Sequence, residues 1–226
     1  MKKQLALPDK KYEYGYDLAY ELARKELGGL RNVAQQCQRS GAHCREGHVS
    51  LTYLDRPCRI HLSDADVTPE DGGPDLPVKE KLLVLHYFLQ AKGTPPAGKA
   101  VTYQELKEGV NYFPIFYQRA IKPLVDFFGS RPEQLLTTAR ELGGTPAEYG
   151  DASVKLQPFP NVPVTLVLWR GDSEFPPEGS IMFDASVADY LTNDDIHNLC
   201  ETIAWKLVKL LKAGGGHPGK RHVDKS

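Results

Sequence analysis

Apolar residues recur along this chain first at helical spacing, then at strand spacing, then at both in turn, and Gly or Pro marks most of the breaks. Residues 12–27 predict an amphipathic helix. Leu18, Leu22, Ala23 and Leu27 form its stripe, and Glu21 with Lys25 gives an i,i+4 ion pair on the opposite face. Gly28 and Gly29 stop it, and a shorter helix over 30–38 is expected before Gly41. The period then drops to two. Val49, Leu51 and Tyr53 alternate, as do Cys58, Ile60 and Leu62, which predicts a hairpin of strands 49–54 and 57–62 turning at Asp55-Arg56. Residues 63–75, rich in Asp, Gly and Pro, predict a solvated loop. Helical spacing returns over 77–92, where Val78, Leu82, Leu85 and Leu89 make the stripe and His86 sits beside it.

Thr102-x-x-Glu105 is a capping box that opens a short helix over 103–107. The next segment is dense in aromatics: Tyr112, Phe113, Phe116 and Tyr117. Pro114 is expected to start a helix through Lys122, with Pro123 restarting it. Ser130-x-x-Glu133 predicts a second capping box and a helix to Leu142, ended by Gly143-Gly144. A short strand is expected over 154–156, followed by an extended Pro-rich approach over 158–164.

The stretch 159–190 organises the rest. Its apolar, β-branched run at 162–169 has the pattern of a strand buried on both faces, and 180–183 repeats it in shorter form. Asp184 is expected to cap a short helix over 185–191. Thr192-x-x-Asp195 then opens the longest helix, 194–212. Ile196, Leu199, Cys200, Ile203, Leu207, Leu210 and Leu211 form its buried side, and Lys206, Lys209 and Lys212 favour its C-terminal dipole. The sum is an α+β protein: one domain over 12–212, a small, mostly antiparallel or mixed sheet with about six helices. Residues 1–11 and 213–226 are expected to be tails, the second carrying His217 and His222.

Composition narrows the classes. A chain of 226 residues, 41% apolar and 25% charged, is long enough and apolar enough to bury a core. A net charge of −1 speaks against a dedicated nucleic-acid binder. No apolar run approaches the roughly 20 residues that cross a bilayer. Only Leu5-Ala6-Leu7 follows the basic start, too short for a secretory signal, so a cytoplasmic protein is expected. Its cysteines, Cys37, Cys44, Cys58 and Cys200, then stay free thiols. Cys37, Cys44 and Cys58, with His43 and His48, match no standard metal-ligand spacing, and no metal is assigned.

The chemistry-bearing residues concentrate after the 162–169 run. Asp172 and Glu174 alternate in an extended piece stiffened by Phe175-Pro176-Pro177, so both carboxylates are expected to face one hollow at a strand end. Two close acids suit acid/base work or a hard cation. Trp169 and Phe175 would wall that hollow, Tyr112 and Tyr117 would add hydroxyls and stacking surface, and Asp184 and His86 complete the candidate set. The plain alternatives are a Gly-Asp turn at Asp172, a salt bridge from Glu174 to Arg170 or Arg119, a helix cap at Asp184 and core roles for Trp169 and His86. No dinucleotide fingerprint, Walker loop, nucleophile elbow or zincin motif occurs.

The run Trp169-Arg-Gly-Asp-Ser-Glu-Phe-Pro-Pro, followed by Ile181-Met-Phe-Asp, resembles domain-of-unknown-function family 3786, found mostly in anaerobic bacteria and archaea. Leu85-His-Tyr-Phe-Leu, Gly109 to Tyr112, Gly143-Gly144 and Ser40-Gly41-Ala42 extend the likeness over most of the chain, about 12 to 211. The resemblance implies a neighbourhood of iron–sulfur, corrinoid and one-carbon proteins, and carries over no catalytic residue. The clustered cysteines of a fused iron–sulfur module are absent. Three functions follow as expectations. The first is a small-molecule or cofactor-binding accessory protein, with a corrinoid or other tetrapyrrole as the ligand to test. The second is an enzyme using Asp172 and Glu174, and the third a protein-interaction module. The cofactor and the oligomeric state are left open.

Overall fold

The structure is a computed structural model that describes residues 10–214, with side chains from residue 15. His217, His222 and most of both expected tails lie outside the described residues. Helix α1 (Lys10–Gly28) buries Tyr20, Ala23 and Leu27, while Leu18 and Leu22 stand 56% and 58% exposed. The buried stripe is therefore rotated from the one the leucines predict. Tyr20 takes the inner position because it can be buried with its hydroxyl satisfied: the OH donates to Asp66 Oδ1 at 2.9 Å and accepts from Val67 N–H at 3.0 Å. In α2 (Val33–Ser40), the Asn32 side chain accepts from Gln35 N–H and sets the start three residues later than expected.

Strands β1 (His43–Arg45), β2 (His48–Tyr53), β3 (Arg56–His61) and β4 (Val67–Pro69) form an antiparallel sheet in that order. The β2–β3 turn falls at Leu54-Asp55, one residue earlier than predicted, with φ of 47° and 64° at its two centres. That is the backbone of a type I′ hairpin, built without glycine. Leu54 accepts the unfavourable region because its side chain is buried and its N–H donates to Pro158 O at 3.0 Å. The expected 63–75 loop is interrupted by β4. Asp64 and Asp71 flank the strand with local side-chain-to-backbone turns, accepting from Asp66 N–H and Gly73 N–H, and those turn residues hide it in the sequence.

Helix α3 (Val78–Gln90) is enclosed on most of its circumference, and even Glu80 and Lys81 are buried. Lys81 Nζ reaches Asp66 and Asp75 at 3.1 and 3.0 Å. Helix α7 (Asn193–Gly214) runs antiparallel to α3. The cross-helix pairs are His86–Asp195, Lys79–Glu201 and Glu80–Lys206.

The second sheet is also antiparallel. Its strands β5 (Ala100–Thr102), β6 (Thr145–Pro146), β7 (Ala152–Phe159), β8 (Val162–Trp169) and β9 (Glu178–Asp184) lie in the order β5-β9-β8-β7-β6. The chain is thus α+β, with two sheets where one was expected. β8 is central and buried on both faces at Leu166, Val167 and Leu168. Pro160-Asn161 closes a β7–β8 hairpin in place of the extended approach, and a register shift between Leu156 and Phe159 accommodates Pro158, which has no N–H for the ladder.

The 103–107 helix shrinks to one 3₁₀ turn at Tyr103–Glu105, with its capping box formed. Pro114 lies inside α4 (Gly109–Phe116) rather than opening a helix. A π-helical turn, Tyr117–Ile121, leads into α5 (Lys122–Phe128). The widened turn lets Lys122 N–H reach Tyr117 O and relieves the crowding that Pro123 imposes on the preceding carbonyls. Helix α6 (Glu133–Ala139) has no side-chain cap: it starts at Glu133 itself, so its N-cap is Pro132 and the Ser130 capping box does not form, while Glu133 pairs with Arg170 at 2.9 Å. A 3₁₀ turn to Leu142 and a left-handed Gly143 finish it.

An aromatic column ties the layers together. Tyr53 of β2 meets Phe159 of β7 at 5.2 Å, Phe159 stacks on Tyr87 of α3 at 4.3 Å, and Tyr87 stacks on Tyr190 at 5.9 Å. The Tyr87 hydroxyl donates to Ser40 O at 2.6 Å. One cluster of buried side chains runs from Tyr20 to Val208 and includes both sheets. Among the described residues no helix is long and apolar enough to cross a membrane.

Candidate functional site

Residues 170–177 join β8 to β9 and rim a cleft of about 420 Å³ against Gly129 and Ser130. Local backbone chemistry shapes the loop. Asp172 N–H donates to Phe175 O at 2.9 Å, while Asp172 Oδ1 accepts from both Glu174 N–H and Phe175 N–H at 2.8 Å. Those two backbone donors hold the Asp172 carboxyl below its usual range. At the neck, Gly171 passes so close to Pro177 that a Cβ would stand 2.6 Å from the proline ring, so only glycine fits. Arg170 N–H donates to Asp151 Oδ2 at 2.7 Å, which fastens the loop's first residue to the start of β7.

Of the candidate set, Asp172, Glu174 and Phe175 line this cleft. Phe175 is 67% exposed. Trp169 is not among the lining residues. It ends β8, paired with Glu178, and its ring lies against the Gly150 turn. The expected convergence of an indole and two carboxylates is therefore not the geometry found. Alternation failed because 172–175 is a hydrogen-bonded turn, not extended chain. Glu174 does not take Arg170, which pairs with Glu133.

Tyr112 lines a separate hollow of about 380 Å³ beside Lys107, Glu108, Thr192 and Asp194. Tyr117 begins the π-helical turn and packs against Phe113 at 6.1 Å. Asp184 caps the 3₁₀ turn Ala185–Asp189, as predicted, and also accepts from Ala97 N–H and Gly98 N–H at 2.9 and 2.8 Å. Burial alone would raise its carboxyl, yet these hydrogen bonds and those from Ser186 hold it down at about 2. Its stabilisation is present above the ordinary aspartate value near 3.8 and is lost as pH falls through about 2. Asp184→Asn should therefore flatten the drop in thermal midpoint between pH 4 and 2. Because the carboxylate is largely solvated, the effect should be on the order of 1 kcal/mol. Equal pH profiles for the two proteins would remove this role.

His86 lies remote from the cleft in sequence and on another element, with Nδ1 2.7 Å from Asp195 Oδ1. Sequence reasoning assigned Asp195 its cap on Thr192 but missed this pairing, which joins helices 109 positions apart. Gly129 and Ser130 also line the cleft, yet nothing local marks Gly129 for it and the pattern around Ser130 points only to a helix cap. Among the described residues no three His, Cys, Asp or Glu side chains converge as for a metal ion.

Comparison with curated proteins and with solved structures finds no match. A family model does match, over residues 32–205, a span that takes in α2, both sheets, the 170–177 loop and most of α7. This chain belongs to the family described as Domain of unknown function (DUF3786).

Proposed function

We propose that the protein is a binding or accessory protein, not a catalyst, and that the 170–177 cleft holds a small molecule. The observation that carries this reading is the rim itself: a loop pre-shaped by its own hydrogen bonds that presents Phe175 to solvent beside Arg170 and Glu174. A rigid frame around one apolar face and a few polar groups is how small-ligand sites are built. The commitment of Asp172 to backbone donors weighs against paired acid/base chemistry with Glu174. At about 420 Å³ the cleft lies at the low end of ligand sites and suits a metabolite-sized group, or one edge of a tetrapyrrole.

The resemblance alone carries the finer reading, an accessory role beside corrinoid or iron–sulfur one-carbon chemistry in the cytoplasm of an anaerobe. Near-neutral net charge favours a partner other than nucleic acid. The test is a native mass spectrum for retained ligand, followed by absorbance titration with cobalamin and haem. Phe175→Ala should weaken binding about tenfold, or ~1.4 kcal/mol, whereas Trp169→Ala, outside the cleft, should change it less than about twofold. No retained mass and unchanged spectra with both cofactors would reject the reading.

A further inference from the structure

We propose that Cys37 and Cys44 are a redox-active dithiol that closes to an intramolecular disulfide on exchange with a small-molecule disulfide. Their sulfurs stand 2.8 Å apart. Cys37 lies on α2 and is 3% exposed, while Cys44 lies on β1 and is open to solvent. The chain between them is already shaped for the bridge. Gly41 takes the left-handed region at φ 68°, Ala42 N–H donates to Cys37 O at 3.0 Å, and Ser40 Oγ donates to the same carbonyl at 3.2 Å. On the far side, Cys44 is registered against Val49 of β2. Helix end and edge strand therefore meet in a fixed turn, so closing the bond needs little new ordering.

Exposure assigns the order of events. Cys44, as the thiolate, attacks one sulfur of R–S–S–R, a mixed disulfide forms and R–S⁻ leaves. Cys37, losing its proton to solvent, then attacks the Cys44 sulfur and expels the second R–S⁻. Two thiols are oxidised, one external disulfide is reduced to two thiols, and the two protons released by the cysteines balance the two thiolates. Burial and the neighbouring Cys44 sulfur push the Cys37 thiol up to about 12, which suits the second, resolving step rather than the first attack. Cys58 and Cys200 are fully buried and serve as internal controls. The bridge would also fasten α2, whose adjacent Gln36 side chain donates to the Phe88 and Ala91 carbonyls at the end of α3.

The full chain is incubated with oxidised glutathione, quenched in acid and mapped without reduction. One internal bridge linking Cys37 to Cys44 is expected, with Cys58 and Cys200 free, and a thermal midpoint higher by roughly 3–8 °C. Cys37→Ala should stop at a glutathione adduct on Cys44, and Cys44→Ser should give neither adduct nor bridge. A native protein that keeps all four thiols while the denatured chain reacts would overturn the proposal. So would a bridge mapped to Cys58 or Cys200, or an adduct on wild-type Cys44 that never resolves.

Discussion

Gly109→Ala should cost at least ~3 kcal/mol and leave a large fraction of the chain unfolded at physiological temperature. A Cβ at this position would stand 1.8 Å from Tyr103 O and 2.9 Å from Tyr103 C. The obstacle is main chain, and that main chain is held from several sides. The Tyr103 ring is buried and stacks on Phe116 at 4.0 Å. The turn that carries it is fixed by reciprocal Thr102 and Glu105 hydrogen bonds, and Gly109 N–H donates to Leu106 O at 2.9 Å. Alanine gains about 1 kcal/mol of helix propensity over glycine, which is too little to offset a displaced buried backbone. In urea the midpoint should fall with the slope unchanged, since the surface exposed on unfolding is the same. A midpoint shift equivalent to less than about 0.5 kcal/mol would show that the Tyr103 turn can retreat.

Gly109 also illustrates what a single sequence can and cannot disclose. Its place after a capping box was legible, but the approach of Tyr103 O depends on Glu108 taking the left-handed region, at φ 62°, against the preference of its side chain. Elements with long, regular apolar spacing were read well: α3, α7, the β2–β3 hairpin and the central β8 all lie where periodicity puts them. At two positions tertiary contact overrides local preference. The turn centre moves to Leu54-Asp55, with Leu54 in place of Arg56, because Pro158, a hundred residues on, takes the Leu54 N–H. Tyr20 displaces Leu18 and Leu22 because Asp66 and Val67 satisfy its hydroxyl. At the candidate site the loop's importance was legible from Asp, Glu and Pro crowding together after a strand. Its geometry was not, because an Asp that bonds its own backbone and an Asp that faces a ligand have the same letters around them. The cleft's opposite wall, Gly129 and Ser130, comes from another element altogether.

The buried carboxylate between α3 and α7 should behave differently from the loop acids. Asp195→Asn should lower stability by about 2–4 kcal/mol at neutral pH. Asp195 is 3% exposed, and its two oxygens are fully used. Oδ1 pairs with His86 Nδ1 at 2.7 Å, and Oδ2 accepts from Thr192 Oγ1 at 2.7 Å and Gln90 Nε2 at 3.3 Å. An asparagine keeps one of those acceptors and aims an NH₂ at donors in place of the other, so either the His86 contact or the Thr192 cap is lost inside the protein. Burial by itself would raise the Asp195 carboxyl; hydrogen bonds and charge from His86, with the Thr192 bonds, bring it below the ordinary aspartate value of 3.8. A depressed folded value fixes the sign. The stabilisation is complete above about pH 4 and disappears as pH falls through the lower folded value, so wild type should lose stability in acid faster than the variant. Urea midpoints taken at pH 7 and near pH 3 should therefore show a gap between the two proteins that narrows at the lower pH by up to about 1 kcal/mol, the most that one proton can remove over that span. A gap that is constant across that range would mean the carboxylate's charge is immaterial and that Asp195 serves only as the Thr192 cap. In that case His86→Gln should leave stability nearly unchanged, whereas a working pair predicts that His86→Gln has little further effect once Asp195 is already Asn.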